Sequence, residues 1–466
     1  MKRIAILGGG LSGLSAAWQL AQDRTAEFTL FEASQRLGGI VETQRIETAD
    51  GQYTIECGPD AWVTEKPQAR ELAAELGLAN EIVHSNDHQR KTYLLRNNTL
   101  VPMPDGMRMM VPTQWQPIMD SPLFSETTRQ AYQQEANNAE ALKQSALRDD
   151  EDESVASFVR RHFGEEVIHT LAGPLLSGIF GGNVEKLSVR AVMPAFVKME
   201  QEHGSLINAL QQNQTTASQP IFTTIQSGLG TIIDRMQATL PANSVRYGHA
   251  AQTIQRKGAQ WQIQTSGATE TFDAVIVATP AHVTRELLRP INEQAATLLS
   301  MDATSAIVVA LAFSPEQSKK IQVPQGFGYL VPQSNCADNT QLLACTFMDQ
   351  KFPHRAPAGA VLLRAFFGGE TAEALLRADD THLASLAHRN LSATLGSLPE
   401  QIFALVRRWP KSLPQYEVGH LDRMRQLEAI VATLPNLHLI GNAYHGVGLP
   451  DMVRQGREAA RKIASA

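Results

Sequence analysis

Ile4-Ala5-Ile6-Leu7-Gly8-Gly9-Gly10-Leu11-Ser12-Gly13-Leu14, answered further on by Phe28-Thr29-Leu30-Phe31-Glu32, is the stretch that decides the fold. Four apolar residues read as a buried strand. The glycines after them fit G-x-G-x-x-G, and Leu14 to Ala21 carries apolar residues at helical spacing. Phe28 to Phe31 is a second strand, ending at the acid Glu32. Gly8 permits a tight turn, Gly10 lets backbone approach a pyrophosphate, and Gly13 lets helix and strand pack closely. The helix then turns its free N–H groups and the positive end of its dipole toward an anion. Glu32 can accept hydrogen bonds from an adenosine ribose. A tight turn without a ligand is the alternative, but strand, glycines, helix and acid all agree on a dinucleotide.

Three further motifs extend this unit. Arg36-Leu37-Gly38-Gly39 offers a basic residue and paired glycines for a second approach to the pyrophosphate. NAD-binding domains do not need it, so it favours FAD. In Glu56-Cys57-Gly58-Pro59-Asp60-Ala61-Trp62 a rigid Gly-Pro turn can bring backbone N–H groups beside a flavin ring. Near the other end, Leu439-Ile440-Gly441-Asn442 and Gly446-Val447-Gly448-Leu449-Pro450-Asp451 again read as strand, glycine-rich turn and helix, with Pro450 suited to the first helical turn. That N-terminus suits negative charge on reduced flavin. Each of the three also reads as a plain turn.

Between these ends, 65–83 looks helical, and Tyr93 to Val101 looks like a hairpin around Asn97-Asn98. The stretch 93–122 holds five prolines and five methionines. It suits adaptable packing against a large apolar ligand or lipid, or a loop packed on the core. Residues 125–170 are polar and mostly helical, with Ser154 placed to cap a helix carrying Val155, Phe158 and Val159. Strand signals return over 221–279, most strongly at Asp273 to Ala278, and at 305–313, 327–331, 341–347, 360–367 and 437–440. A last helix runs from about Pro450 to Ala464. The expected class is α/β. A discontinuous Rossmann-like FAD-binding domain takes 1–65, 221–300 and 435–466. A mixed-sheet substrate domain takes 66–100, 190–220 and 301–434, and a helical segment takes 101–189.

With 43% hydrophobic and 19% charged residues, the 466-residue chain can bury a sizeable core in two or three domains. A net charge of -6 argues against a nucleic-acid partner. Cys57, Cys336 and Cys345 form neither a disulfide framework nor a metal site, which fits a reducing, cytoplasmic setting. No run approaches the roughly 18 apolar residues of a membrane span. The histidines, among them His84, His88, His162, His203 and His420, are scattered and offer no convincing general base. His445 is the exception in position only, beside the second glycine turn. Arg90, Lys91 and Arg96 can reach acidic groups of a substrate or simply face water.

Taken together the motifs, with Ala278-Thr279-Pro280, resemble those of the flavin amine oxidase–like superfamily. Within it the chain is similar to the oxygen-dependent porphyrinogen oxidases of haem synthesis. The resemblance lies in Gly58-Pro59-Asp60, in Leu176 to Ser188, in Gly326-Phe327-Gly328-Tyr329-Leu330-Val331-Pro332, in Arg408-Trp409, in Leu413-Pro414-Gln415-Tyr416, in Val418-Gly419-His420 and in Gly446 to Asp451. It implies six-electron oxidation of a porphyrinogen, with FAD as cofactor, O2 as acceptor and hydrogen peroxide as product. The flavin carries the chemistry and no protein residue is named as catalytic. The resemblance gives FAD to Gly8, Gly10, Leu11, Ser12, Gly13, Glu32, Ala33, Gly38, Gly39, Gly58, Pro59, Asp60 and Ala61. It adds Ala251, on a strand beginning near Val245, and Trp409, Gly441, Asn442, Val447, Gly448 and Leu449. A slot for the macrocycle is expected at Gly178, Gly181, Gly182, Phe327 and Phe347, with Tyr329 beside them; core packing competes as the reason for the aromatics. The ending Gly-Leu-Pro-Asp favours coproporphyrinogen III over protoporphyrinogen IX. Handover of product to a ferrochelatase and peripheral contact with the cytoplasmic membrane face are compatible with this reading. Asn442 stands where many superfamily members have an acid. A flavin amine oxidase, a carotenoid desaturase–like enzyme and a non-catalytic porphyrin-carrying flavoprotein are the rival readings.

Overall fold

The computed structural model describes residues 1–212, 220–332 and 341–465, so Cys336 lies outside the described residues. Its first layer is a five-stranded parallel sheet. The strands are β1 (Arg3–Leu7), β2 (Glu27–Glu32), β3 (Val245–Tyr247), β4 (Ala274–Val277) and β5 (Leu437–Leu439), in the spatial order β3-β2-β1-β4-β5. Ile4 to Leu7 and Ala274 to Val277 are wholly buried. Both faces of the sheet are covered, which is why these strands are unbroken apolar runs rather than alternating ones. One face carries helices α1 (Leu11–Asp23) and α2 (Leu449–Ser465). The other carries an antiparallel meander of Ala251–Lys257, Gln260–Thr265 and Thr269–Phe272. Where α1 and α2 cross, a Cβ on Gly456 would lie 2.3 Å from the Ser12 carbonyl oxygen, so only glycine permits this approach. Three distant parts of the chain thus make one Rossmann-like layer, as the glycine motif requires.

The second layer is a seven-stranded mixed sheet. Its order is Phe403–Pro414, Ala303–Phe313, Val361–Gly368, Ala344–Phe347, Gly328–Leu330, Thr92–Arg96 and Thr99–Pro102. Only Gly328–Leu330 and Thr92–Arg96 pair in parallel. One face packs under the helix Asp380–Leu395, with Leu383, Ala387 and Leu391 against Ile307, Val309 and Leu363. The opposite face turns toward the parallel-sheet layer, where Tyr53 and Ile55 meet Ala310, Ala312 and Leu362. The hairpin expected at Asn97-Asn98 is present, and both residues take the left-handed conformation that a two-residue turn demands.

A helical body forms the third part. Glu126–Asn137, Val155–Phe163, Pro194–His203 and Leu206–Gln212 share a core that includes Phe158, Phe163, Leu171, Phe196 and Leu206. Ser154 caps the second of these by accepting from the Ser157 N–H. The stretch 190–212, assigned from sequence to the substrate sheet, belongs here instead, because its apolar faces complete the core begun by Val155 to Phe163. Other corrections are local. Only Gln68–Glu75 of 65–83 is α-helical, followed by a 3-10 turn and the strand Ile82–His84. Ala251 opens its own strand, distinct from β3. Met103, Met107 and Met109 pack on the helical core and Met110 is wholly inside it, so core packing accounts for that part of the methionine-rich stretch. No helix among the described residues is long and apolar enough to cross a membrane.

Candidate functional site

The first turn is held by backbone. Gly8 N–H donates to Phe31 O at 2.8 Å, and Gly38 N–H to Gly9 O at 2.8 Å. Gly8 has φ +104°, and a Cβ on it would meet Ala278 O at 2.7 Å. On Gly13 a Cβ would lie 2.0 Å from Gly8 O, so helix and turn touch there. Gly10 is different: it caps α1 with no side-chain cap, and nothing lies within 4 Å of where its Cβ would be. An open space at the uncapped N-terminus of a thirteen-residue helix is what a pyrophosphate needs. The FAD implied by the sequence therefore fits these residues. Glu32 accepts from the Gly9 N–H at 2.7 Å and from the Ser34 N–H at 2.8 Å, which fixes its carboxylate at the end of β2. Ala33 follows it, exposed. His249 donates through its backbone to Glu32 O at 2.9 Å and so carries Ala251, two residues on, past that strand end.

The second glycine pair and the Gly58 turn are tied to the mixed sheet through Trp409. Its indole N–H donates to Cys57 O at 2.7 Å, and the Arg36 guanidinium lies 5.7 Å from its ring centre. Arg36 also donates to the carbonyls of Leu37, Gly39 and Val41, which closes the Gly38-Gly39 turn. Glu42 joins Arg36 to Arg407 on the sheet. A Cβ on Gly58 would lie 2.0 Å from Ile40 O. Behind Pro59 and Ala61 the Asp60 carboxylate pairs with Lys351 at 2.9 Å and Arg364 at 3.5 Å. Burial opposes its charge, but the two cations outweigh burial and hold the carboxyl below its ordinary value.

The third turn is clamped by residues the sequence reading named only for their resemblance. Tyr416 donates to Asn442 O at 2.6 Å and accepts from the Gly446 N–H at 3.1 Å. Its ring stacks on His420 at 3.9 Å. His420 bonds Tyr444 O, and burial pushes it down to about 4, so it is neutral. Asn442 donates its amide to Ser412 O at 2.8 Å, a bond that a carboxylate could not make. Gly441 N–H donates to Gln455 at 3.2 Å. Asp451, at the start of α2 just after Leu449, accepts from the Gly448 N–H and pairs with Lys66 at 2.8 Å. No local pattern marks Lys66, which comes from the loop after the Gly58 turn. His445, watched for its position, turns to Glu428 on the surface at 2.5 Å.

All three parts of the molecule contribute residues to the surface of the helical core. Leu175 of the helical body, Leu330 of the mixed sheet and Val447 of the third turn are all half-buried on the helical core. Gly178 is exposed there, with Leu330 3.7 Å from where its Cβ would be. Gly181 and Gly182 have another reason to be glycine. Added Cβ atoms would collide with Thr304 and Gln415, where the helical body rests on the sheet. Phe347 and Tyr329 lie in the core under Asp380–Leu395, on the opposite face, and Phe327 is buried beside that strand end. Half-exposed residues facing the other way include Ala344, Thr346 and Phe366, on two adjacent strands. Arg96 is bound to Pro122 O at 2.6 Å, and Arg90 lies 3.9 Å from Asp87.

Comparison with known proteins agrees with the fold. The family described as flavin containing amine oxidoreductase matches residues 11–464. Coproporphyrinogen III oxidase of Bacillus subtilis (strain 168) is 33% identical over 98% of this chain and 97% of its own length. The Staphylococcus aureus enzyme of that name is 33% identical over 99% of both. A solved structure from Exiguobacterium sp. 255-15, provisionally assigned as a protoporphyrinogen oxidase, superposes with a TM-score of 0.85 at 29% identity, over 100% of this chain and 99% of that one.

Proposed function

The chain belongs to the flavin containing amine oxidoreductase family, and from that premise we propose that it oxidises coproporphyrinogen III to coproporphyrin III in haem biosynthesis. The observation that carries the reading is the end-to-end match, at 33% identity, to two enzymes named for that substrate. FAD, held by these residues, would supply two-electron redox chemistry between the substrate and O2. Six electrons and six hydrogens leave the macrocycle, and three O2 become three hydrogen peroxide.

The protein's part is to hold and orient. Gly8 to Gly13 and the Gly38-Gly39 turn cradle the pyrophosphate, and Glu32 takes the ribose. Gly58 to Ala61, Trp409 and Val447 to Leu449 surround the ring, and Asn442 takes the ribityl or phosphate region. The substrate is placed beside Gly178 and Leu330, with Leu175 and Val447 as further half-buried apolar residues on the same core. Histidine contributes no proton transfer in this scheme: His420 is buried and stacked, and His445 is paired on the surface. The product is then released to a ferrochelatase, and a cytoplasmic location suits that handover.

The test is porphyrin fluorescence with coproporphyrinogen III and protoporphyrinogen IX in parallel, against autoxidation blanks, with peroxide measured. Faster oxidation of coproporphyrinogen is expected, with three peroxides per porphyrin. Faster oxidation of protoporphyrinogen would move the assignment to that substrate. Oxidation of neither above the blank, by protein carrying flavin, would overturn the porphyrinogen reading.

A further inference from the structure

Behind the Gly58 turn lies a knot of five charged side chains: Glu56, Asp60, Lys351, Arg355 and Arg364. Lys351 pairs with Asp60 at 2.9 Å, Arg355 with Glu56 at 2.8 Å, and Arg364 with Asp60 at 3.5 Å. Arg364 also donates to the Gly58 carbonyl, and Arg355 to Thr224, whose hydroxyl in turn donates to Asp60 O at 2.9 Å. Arg355 and Arg364 are 0% and 1% exposed. Asp349, close by in sequence, is bonded elsewhere, to the Leu362 N–H at 3.0 Å.

Two features of the knot are unusual for a structural brace. It holds three cations against two anions, so burial is not matched by neutrality. In addition, Nε and Nη1 of Arg355 and Nε of Arg364 have no acceptor among the described residues. Unpaired buried charge and unmade buried hydrogen bonds are both costly. A fold that only needed to join two layers would do better with apolar side chains of similar volume.

We infer that this knot presents buried positive charge to the ring-facing turn Gly58–Ala61, and that Arg364 and Lys351 are positioning residues that stabilise the negative charge reduction leaves on the flavin. The inference rests on the reading that FAD binds with its ring beside that turn. The charge acts through the turn, with Arg364 fixed on the Gly58 carbonyl and Lys351 fixed on Asp60. Its consequence is a higher reduction potential. A second consequence is tighter binding of sulfite, whose lone pair forms one bond to an oxidised flavin and leaves the ring negatively charged.

The test uses FAD-loaded full-length protein and two readouts besides turnover: the flavin midpoint potential and the sulfite dissociation constant from the visible spectrum. Arg364→Gln and Lys351→Met are each expected to weaken sulfite binding about tenfold and to lower the potential by about 30 mV, the two-electron equivalent of that factor. Arg364→Lys keeps the charge and should keep both values. Asp60→Asn removes an anion and should move both the other way. A strut alone would not give opposite signs. Unchanged potentials in folded, flavin-loaded Arg364→Gln and Lys351→Met would overturn the inference, as would a fall in Asp60→Asn. If Arg364→Gln does not fold, Lys351→Met and Asp60→Asn decide. Wild-type protein that takes up no flavin would overturn the cofactor reading itself, and is recognised by the missing visible spectrum.

Discussion

Gly10 and Gly13 are three residues apart on the same turn, yet a methyl group means something different at each. At Gly13 it would sit 2.0 Å from the Gly8 oxygen; at Gly10 it would meet nothing within 4 Å. Gly13→Ala should therefore lower the melting temperature of the cofactor-free protein. Gly10→Ala should leave that melt unchanged while weakening FAD at least about tenfold, roughly 1.4 kcal/mol, by occupying the space where backbone approaches the phosphates. Melting curves of stripped protein and FAD titrations of both variants separate the two effects. Tyr416→Phe makes a third case: it keeps the stack on His420 but leaves Asn442 O and the Gly446 N–H without their partner. It should cost about 1–3 kcal/mol in denaturant unfolding, with a shifted flavin spectrum because the third turn relaxes. An unshifted spectrum would separate Tyr416 from the turn. The glycines were legible because their chemistry is local to six residues. The clamping roles of Tyr416 and Lys66 are not legible in the same way, because each acts on a segment brought to it only by the fold.

At the scale of elements, buried strands such as Ile4–Leu7 and Ala274–Val277 announce themselves as apolar runs, and hairpins by their turn residues. What a single sequence does not show is which body an amphipathic helix joins. Helix Pro194–His203 is an example: sequence alone puts it with the substrate domain, whereas Phe196 and Val197 pack into the helical core. Its role includes a polar one. His162 is clamped between Glu135 at 3.0 Å and Glu200 at 3.1 Å, all three wholly buried, and Arg161 also reaches Glu200. Burial lowers the tendency of His162 to hold a proton, but the two carboxylates outweigh burial and raise it. The protonated form is thus favoured in the fold. The clamp contributes fully below the unfolded histidine value near 6.5, and its contribution is lost as pH rises through the raised folded value. Glu200, held low by His162 and Arg161 against burial, acts the other way and fails only as pH falls through its own lowered value. Thermal melts from about pH 6 to pH 9 should show stability declining in the wild type. His162→Gln should flatten that slope and cost about 3–5 kcal/mol at its acid end. Parallel slopes for the two proteins would exclude the clamp as their cause.

Over the whole molecule, the turns said to hold FAD come from both ends of the chain, and Trp409, Arg407 and Lys351 bind them to the mixed sheet. The cofactor should therefore stabilise the layers together. With free FAD at 100 times its dissociation constant, about 2.7 kcal/mol is expected. Scanning calorimetry should show one transition moving upward as a unit. Two transitions, only one of them sensitive to FAD, would mean the layers unfold separately. The parallel sheet has a further consequence, in the time order of synthesis. Its middle strand, β1, is made first, but β5 and α2, which close one edge and cover α1, are made last. While those residues are still unmade, α1 has a bare apolar flank and the third turn does not exist. Long-range pairing of this kind is slow and leaves sticky intermediates. Until residues 437–465 are made, the turns proposed to hold FAD cannot come together.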